Sequence, residues 1–272
     1  MDAFNHTLTR LFDWALWPFR GLDPMWAVAA TAAVLGVVLV WAFGKVSNQQ
    51  RIARLKDRIK GHMLEMWIFR HNAAVVLKAQ GRTLGYAVLY TLDALRGMAI
   101  VMVPVLLVLV QLQARYGYAP LRPGESAVLR VLYAAPLSLE EMDVALDLPS
   151  GVVAETPALR VPDEGEVDFR ISAAEAGVYD VGVTCSGERV TKSLCVGTVG
   201  AAVSPRRASG WFGRMLYPTE PGLGSGRLRA VELRYPQATL SLWGMEFHWM
   251  WAFLIISLVV GMLARGPLKV AL

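Results

Sequence analysis

The stretch KVSNQQRIARLKDRIKGHMLEMWIFRHNAAVVLKAQGR, residues 45–82, is followed by LGYAVLYTLDALRGMAIVMVPVLLVLVQLQ, residues 84–113, and these two segments decide the fold. The first is amphipathic and holds nine Lys and Arg residues against two acidic residues. The second is a long apolar run with only two charged residues. Together they predict a basic helical hairpin, residues 45–83, that leads into a membrane-spanning helix, residues 84–114.

Two further runs have the length and composition of membrane spans. Residues 25–43, 97–114 and 247–264 form stretches of 19, 18 and 18 residues without Asp, Glu, Lys or Arg. A helix that crosses the hydrocarbon core needs roughly 20 apolar residues. We therefore expect an α-helical membrane protein with three transmembrane helices, the outer two covering residues 24–44 and 243–264.

The N-terminal segment, residues 1–23, does not have the layout of a signal peptide, since no small-residue cleavage site follows its first apolar residues. Apolar residues recur there at helical spacing before Pro18: Phe4, Leu8, Leu11, Trp14 and Trp17. This spacing predicts a helix that lies in the membrane interface. The alternative is a frayed tail.

The distribution of Lys and Arg predicts the orientation, because these residues concentrate in cytoplasmic loops. The hairpin, residues 45–83, and the tail, residues 265–272, are expected in the cytoplasm, with the N-terminus and residues 115–242 outside. This is the topology expected for the inner membrane of a bacterium. The net charge of +5 then falls on the cytoplasmic face, where residues 45–82 are expected to bind anionic lipids rather than nucleic acid.

The hairpin carries the clearest candidate for a contact surface. An apolar stripe at helical spacing follows its first helix: Ile52, Leu55, Ile59, Met63 and Met66. The run from Met63 to Phe69 is more apolar than a cytoplasmic loop requires. Either the hairpin docks on anionic lipid, or Met63, Met66, Trp67 and Phe69 contact apolar segments of a client protein, since Met adapts to irregular surfaces.

The second span carries four polar candidates for an intramembrane site: Asp93, Arg96, Gln111 and Gln113. Asp93 and Arg96 lie three residues apart, so they share a helix face and can pair. They are interfacial if the hydrocarbon begins near residue 97 and intramembrane if it begins near residue 89. The two glutamines predict either a water-accessible groove or the headgroup boundary, and Gly81 and Gly85 predict a loosened start to the span.

The external segment, residues 115–242, predicts an all-β immunoglobulin-like sandwich. Short or alternating apolar runs cover residues 127–133, 142–148, 159–161, 167–171, 178–184, 190–196 and 228–233. Cys185 and Cys195 flank a predicted hairpin turn, which would set them too far apart along the strands to bridge, so two buried thiols are favoured over a disulfide.

The third span begins with an expected aromatic belt at the outer interface: Trp243, Trp249 and Trp251. Ser257 and Gly261 lie four residues apart and predict a face on which another helix can approach closely. The four histidines show no ligand spacing with the cysteines. The sequence therefore predicts no metal site, no cofactor and no enzymatic activity.

Three segments resemble the YidC/Oxa insertase superfamily, most closely its archaeal and eukaryotic branch, which includes the insertase subunit of the endoplasmic-reticulum membrane protein complex. These are QQRIARLKDRIK (residues 49–60), the span around Pro104 and Gln111, and WGMEFHWMWAFLIISLVVGMLARGPLK (residues 243–269). The resemblance in layout as a whole covers about half of the chain. The chain departs from the family in having no positive residue in its first span and a β-domain between the second and third.

The resemblance implies insertion of short or weakly hydrophobic client membrane proteins through a polar groove. Arg96 would then attract acidic client residues, Asp93 would tune it, and Gln111 and Gln113 would hydrate the groove. A second hypothesis is a membrane-anchored scaffold whose β-domain binds a periplasmic protein. A third is an accessory subunit of a transporter or other membrane complex, docked through Ser257 and Gly261.

Overall fold

The computed structural model describes residues 2–19, 21–134, 143–185, 187–197, 202–224, 226–242, 245–268 and 270. The chain divides into two compact units. One comprises Met1–Ala27 and Val108–Trp249, and the other Val28–Leu107 and Met250–Leu272. The first unit holds the β-sheets and the second holds the hairpin.

The helices of the described residues are α1 (Asp2–Leu16), α2 (Pro24–Val46), α3 (Gln49–Ile68), α4 (Ala73–Tyr116), α5 (Trp211–Leu216) and α6 (Trp249–Ala264). A short 3-10 turn, Trp17–Phe19, follows α1 at the predicted Pro18. By length and composition α2 and α4 can cross a membrane, whereas α6 has 16 residues and falls short of that length. Two of the three predicted spans thus have sufficient length.

The return helix of the hairpin and the second span are one continuous helix. α4 has 44 residues, and both Gly81 and Gly85 lie inside it without a break. Each glycine costs about 1 kcal/mol relative to alanine in a helix, which is too little to interrupt a helix that continues on both sides. The first span also continues beyond its predicted end at Gly44, to Val46.

α2 and α6 approach each other closely at Gly36. A Cβ atom on Gly36 would lie 2.6 Å from the backbone oxygen of Ser257 and 3.3 Å from the backbone nitrogen of Gly261. The small-residue face predicted on α6 is therefore occupied by α2 of the same chain. α2 therefore covers the face through which the third hypothesis would dock a second membrane subunit.

α1 packs its polar side against the rest of its unit, and its apolar side is exposed. Asn5 Nδ2 donates to the Arg214 backbone oxygen at 2.8 Å, and Arg115 contacts Asp13 at 2.7 Å. The opposite side exposes large apolar residues: Phe4, Leu11, Trp14 and Trp17. This pattern is the reverse of an amphipathic helix on a soluble protein.

The strands of the described residues are β1 (Ser126–Tyr133), β2 (Val144–Asp147), β3 (Val152–Ala154), β4 (Leu159–Val161), β5 (Glu166–Ala173), β6 (Gly177–Cys185), β7 (Glu188–Val196), β8 (Arg206–Ala208), β9 (Leu228–Leu233), β10 (Leu240–Leu242) and β11 (Met245–Phe247). A strand overlaps each of the seven predicted runs. The start of the 142–148 run falls outside the described residues, and so does Trp243. The sequence missed β3, β8, β10 and β11.

Two sheets share one core. The larger has the strand order β3-β5-β1-β9-β8, with β4 also pairing β5, and the smaller has the order β2-β6-β7. Inward residues of both sheets belong to a single apolar cluster, for example Leu129 and Val167 of the larger and Val183 and Leu194 of the smaller. Alternation along β1 agrees with this, since its inward residues are buried and its outward ones are not.

Both cysteines are buried thiols that form no disulfide, as predicted. Cys185 pairs in register with Glu188, and Cys195 pairs with Val178 on the same β6–β7 ladder. The cysteines are thus seven positions apart along the ladder, or about 24 Å at the usual rise per residue.

Candidate functional site

The hairpin is built by α3 lying antiparallel to the first part of α4. Three contacts, successively deeper along α4, hold the two helices together. Arg58 Nη1 donates to the Tyr86 hydroxyl at 3.0 Å, Lys56 lies 5.5 Å above the Tyr90 ring, and Arg51 contacts Asp93 at 2.6 Å. Two of these contacts place a cation against an aromatic ring, and the third is an ion pair. Asn48 caps α3 by accepting from the Arg51 backbone N–H.

The apolar stripe of α3 becomes exposed toward the turn of the hairpin. Ile52 and Leu55 are buried, whereas Met66 is half-buried and Met63 is exposed. We call the exposed group the hairpin tip: Met63, Leu64, Trp67, Ile68, Phe69 and Leu77. Trp67 is 72% exposed. So large a contiguous apolar patch on a basic hairpin is characteristic of a binding surface.

At the opposite end of the hairpin lies a small cavity, which we call the base pocket. Its volume is about 240 Å³, and it is lined by Val46, Ser47, Asn48, Arg51, Asp93, Arg96, Gly97 and Ile100. Asp93 pairs with Arg51 of α3 rather than with Arg96, three residues away on its own helix. Among the described residues, Arg96 forms no ion pair, and it is exposed.

The two glutamines of the predicted groove lie elsewhere and have structural partners. Gln111 is 1% exposed, donates to Thr9 at 3.3 Å and accepts from Arg115 at 2.7 Å. Gln113 accepts from the Trp249 indole at 3.1 Å. Along α4, the stretch from Asp93 to Gln111 covers about 27 Å of helical rise. Asp93 and Arg96 belong to one compact unit of the chain, and Gln111 and Gln113 belong to the other.

The Gln113 contact also changes the expected aromatic belt. Trp249 is 1% exposed, because its ring packs inside the first unit and its indole nitrogen is bound to Gln113. Trp251, two residues further along α6, is exposed as the belt requires. One turn of a helix cannot present both residues to the same side, so of these two Trp251 alone has the exposure that the predicted belt requires.

The outward face of the larger sheet carries a second cavity, which we call the sheet pocket. Its volume is about 480 Å³, and its walls include Tyr118, Tyr217, Tyr235 and Arg234. Its floor is a row of alternating charges across four adjacent strands: Asp168, Arg130, Glu232 and Arg206. Neighbours in this row contact each other, at 3.2 Å between Arg130 and Asp168 and 3.1 Å between Arg206 and Glu232.

A buried ion pair fastens the segment after β8 to the smaller sheet. Lys192 Nζ, with 0% of its side chain exposed, donates to Glu220 Oε2 and to the Ser204 backbone oxygen, both at 2.6 Å. Glu220 also accepts from the Ser193 backbone and hydroxyl and from the Ser204 hydroxyl. Burial alone would raise the pKa of the Glu220 carboxyl, but the Lys192 charge and these hydrogen bonds outweigh it and lower that pKa below its usual value.

Sequence reasoning missed the sheet pocket and part of the hairpin tip. The charged row comes from four strands scattered between positions 130 and 232, and only the sheet register brings them together. Leu64 and Ile68 lie in the apolar run from Met63 to Phe69. They are four residues apart, so helical spacing alone places them on one side of α3.

No protein-family model matches this sequence, and no curated protein and no solved structure matches it significantly. The resemblance to the insertase superfamily therefore remains a prediction from the three segments that carry it.

Proposed function

We propose that the chain is a membrane protein of a bacterial inner membrane, with α2, α4 and α6 as its spans and the β-domain outside. The support is exposure: only 39% of the apolar window of α2 and 17% of that of α4 is buried within the protein. A core helix of a soluble protein would be mostly buried. The Lys and Arg distribution supports the N-outside orientation.

The short length of α6, the third proposed span, supports a bilayer that is locally thin around the protein. The helical residues of α6 cover about 24 Å, which is about 6 Å less than the hydrocarbon core. A span shorter than the bilayer is accommodated by thinning of the bilayer around it. Thinning lowers the cost of moving polar flanks of a client across, which is the step that insertion must assist.

We propose that the β-domain is immunoglobulin-like. Two features support this: a smaller sheet of order β2-β6-β7, and a larger one in which β5 and β1 are neighbours, as in sandwiches of that type. In addition, the Tyr179 hydroxyl donates to the Glu175 backbone oxygen at 3.0 Å, at the corner where the chain passes from one sheet to the other. A tyrosine so placed is a recurrent feature of these sandwiches.

We propose that the protein assists the insertion of client membrane proteins by holding their apolar segments on the hairpin tip. The observation that carries the proposal is the exposure of Trp67, Ile68 and Phe69 on a basic hairpin. Large apolar side chains in contact with water are unfavourable, at about 25 cal/mol per Å², unless a partner covers them. Methionine and tryptophan at the centre of the patch suit clients of varied sequence.

The proposal places the client contact at the hairpin tip and gives no role to a groove lined by Gln111 and Gln113, since both are held in structural hydrogen bonds. Arg96 stands at the hairpin base, in the same pocket as Arg51. From Arg51 to Trp67 of the hairpin tip, α3 rises about 24 Å. The resemblance implies that Arg96 attracts acidic client residues. In this proposal that attraction follows the capture of the client at the hairpin tip.

The test is site-specific photocrosslinking with the probe at Trp67 or Phe69 during synthesis of short-tailed membrane proteins. The proposal expects crosslinks to the nascent chain that appear when its apolar segment leaves the ribosome. The matched control is a probe at Lys60, which is exposed on the same helix but outside the hairpin tip. Crosslinks only to lipid, or to one stable resident protein, would contradict client capture.

A second candidate is a scaffold that binds a periplasmic partner, and the sheet pocket is the observation that favours it. A cavity of about 480 Å³ with three tyrosines and an exposed Arg234 is large enough for a side-chain anchor of another protein. A scaffold of this kind would lose its partner when Arg234 and Tyr217 are replaced, and an insertase acting through the hairpin would not lose its clients.

A further inference from the structure

The base pocket combines an unbalanced positive charge with apolar walls. Its lining holds two guanidinium groups, Arg51 and Arg96, against one carboxylate, Asp93. Arg51 contacts the carboxylate through Nε at 2.6 Å, so the pair is approximately neutral. Arg96 remains as the unneutralised cation of the cavity among the described residues.

The walls around these charges belong to the ends of apolar helices. Val46 is the last residue of α2, and Ile100 lies in the apolar run of α4 that begins at Gly97. From Gly97 to Tyr116, the end of α4, the helix rises about 29 Å, close to the thickness of the hydrocarbon core. With α4 as a span, Gly97 and the pocket lie at the headgroup level. This step rests on the proposed membrane location.

We propose that the base pocket binds the phosphate of an anionic phospholipid, with Arg96 as the principal ligand and Arg51 as the second. A phosphodiester carries one negative charge, which would balance the single excess positive charge of the pocket. Arginine presents a planar fork of donors that fits phosphate oxygens in a bidentate manner. The acyl chains would follow the exposed apolar sides of α2 and α4, starting at Val46 and Ile100.

The size and position of the cavity agree with a headgroup fragment. Pockets for complete small ligands have about 300–1,000 Å³, whereas this one has about 240 Å³ and lies beside an apolar surface on which the rest of a lipid can lie. Bound there, the lipid would fill the space between the end of α2, the start of α3 and α4. It would therefore fix the hairpin relative to the spans of its own unit.

The test is native mass spectrometry of the full-length protein released from detergent after incubation with phosphatidylglycerol, with phosphatidylcholine, or with inorganic phosphate. Wild-type protein is expected to retain phosphatidylglycerol roughly tenfold better than phosphatidylcholine. Arg96→Gln is expected to lower that retention about tenfold, the loss of one charge-assisted bidentate contact. Arg96→Lys, which keeps the charge without the fork, is expected to fall between the two.

Arg54→Gln is the matched control, since Arg54 is exposed on α3 and lies outside the pocket. An equal loss in Arg54→Gln and Arg96→Gln would overturn the proposal, because net charge alone would then govern binding. Equal retention of the two lipids by the wild type would overturn it without any variant. Displacement of the lipid by millimolar inorganic phosphate would assign the site to free phosphate instead.

The result is separable from the proposed function. Membrane integration and crosslinking at Trp67 are measured in the same Arg96→Gln strain. Lipid loss with integration and client crosslinks intact would support the lipid site alone. Selective lipid retention by a wild type that crosslinks no client would leave the lipid site standing and remove the insertase proposal.

Discussion

At the scale of single residues, Lys192 shows what alternation can and cannot predict. It follows Val190 and precedes Leu194 at two-residue spacing, so the pattern of β7 places it on the buried side of the sheet. Its partner Glu220 comes from an irregular segment with no period, and no pattern in the sequence joins the two. When strand alternation places a charged residue on the buried side, we can predict that an oppositely charged partner exists, but not which residue it is.

Glu220→Gln is expected to lower the free energy of unfolding of the β-domain by about 3–5 kcal/mol, because it leaves the buried Lys192 ammonium without its counter-charge. Pulse proteolysis of the full-length protein in detergent across a urea series measures the change. Asp147→Asn is the control, since its ion pair with Arg189 is exposed and is expected to contribute under about 1 kcal/mol. Equal effects of the two substitutions would refute the account of a buried ion pair.

The lowered pKa of Glu220 also predicts a pH dependence. Because the folded-state pKa lies below the ordinary value of about 4.3, the stabilising contribution is complete above that pH and is lost as pH falls through the folded-state pKa. The amide in the Glu220→Gln variant does not titrate. The difference in unfolding free energy between the wild type and this variant should therefore shrink below about pH 4. A difference that stays constant from neutral to strongly acidic pH would show that the charge of Glu220 does not stabilise the fold.

At the scale of elements, periodicity predicted the presence of helices and strands more reliably than their ends or their packing partners. The Ser257 and Gly261 face was predicted from spacing, but the spacing did not identify the approaching helix, which is α2 at Gly36. The return helix of the hairpin and the predicted second span were expected as separate segments and form one helix, α4. Both points concern contacts and continuity, which tertiary packing decides and local sequence does not.

Gly36→Ala is expected to destabilise the second unit by about 1–3 kcal/mol, because the added Cβ meets the Ser257 backbone oxygen at 2.6 Å and backbone cannot move aside cheaply. Gly61→Ala is the matched control, since Gly61 lies inside α3 and an added Cβ meets nothing within 4 Å. That control is expected to gain about 0.5–1 kcal/mol from helix propensity. Thermal denaturation in detergent compares them, and a gain in both would disprove close packing at Gly36.

At the scale of the whole molecule, the β-domain is an insertion whose two ends meet. Tyr118 and Gln237 form an antiparallel bridge, the Ala119 N–H donates to the Pro236 oxygen at 3.0 Å, and the Ala238 N–H donates to the Gly117 oxygen at 3.1 Å. A deletion of residues 127–196 would remove β1 and leave β9 with β8 as its only remaining neighbour in the order of the larger sheet. The strand register identifies better deletion ends, at the pairing of Tyr118 with Gln237.

Replacing residues 119–236 by a short flexible linker is expected to leave the hairpin folded, because the linker needs to span only one strand pair, about 5 Å. With the hairpin tip as the client site, nascent-chain crosslinks at Trp67 should persist in this variant at near wild-type yield. With a scaffold acting through the sheet pocket, function should be lost although the protein still accumulates. Crosslinking yield and accumulation, measured by immunoblot, distinguish the two outcomes.

The two free thiols have a consequence for how the protein matures. In an oxidising compartment, the folded core protects Cys185 and Cys195 from oxidation. If the domain folds slowly, the exposed thiols can be oxidised or form non-native disulfides before the two sheets pack together. The same thiols report when the domain has folded and on which side of the membrane it lies. A membrane-impermeant maleimide added to intact spheroplasts should label neither cysteine until urea opens the domain, and should then label both. Labelling that requires membrane rupture would put the domain on the cytoplasmic side.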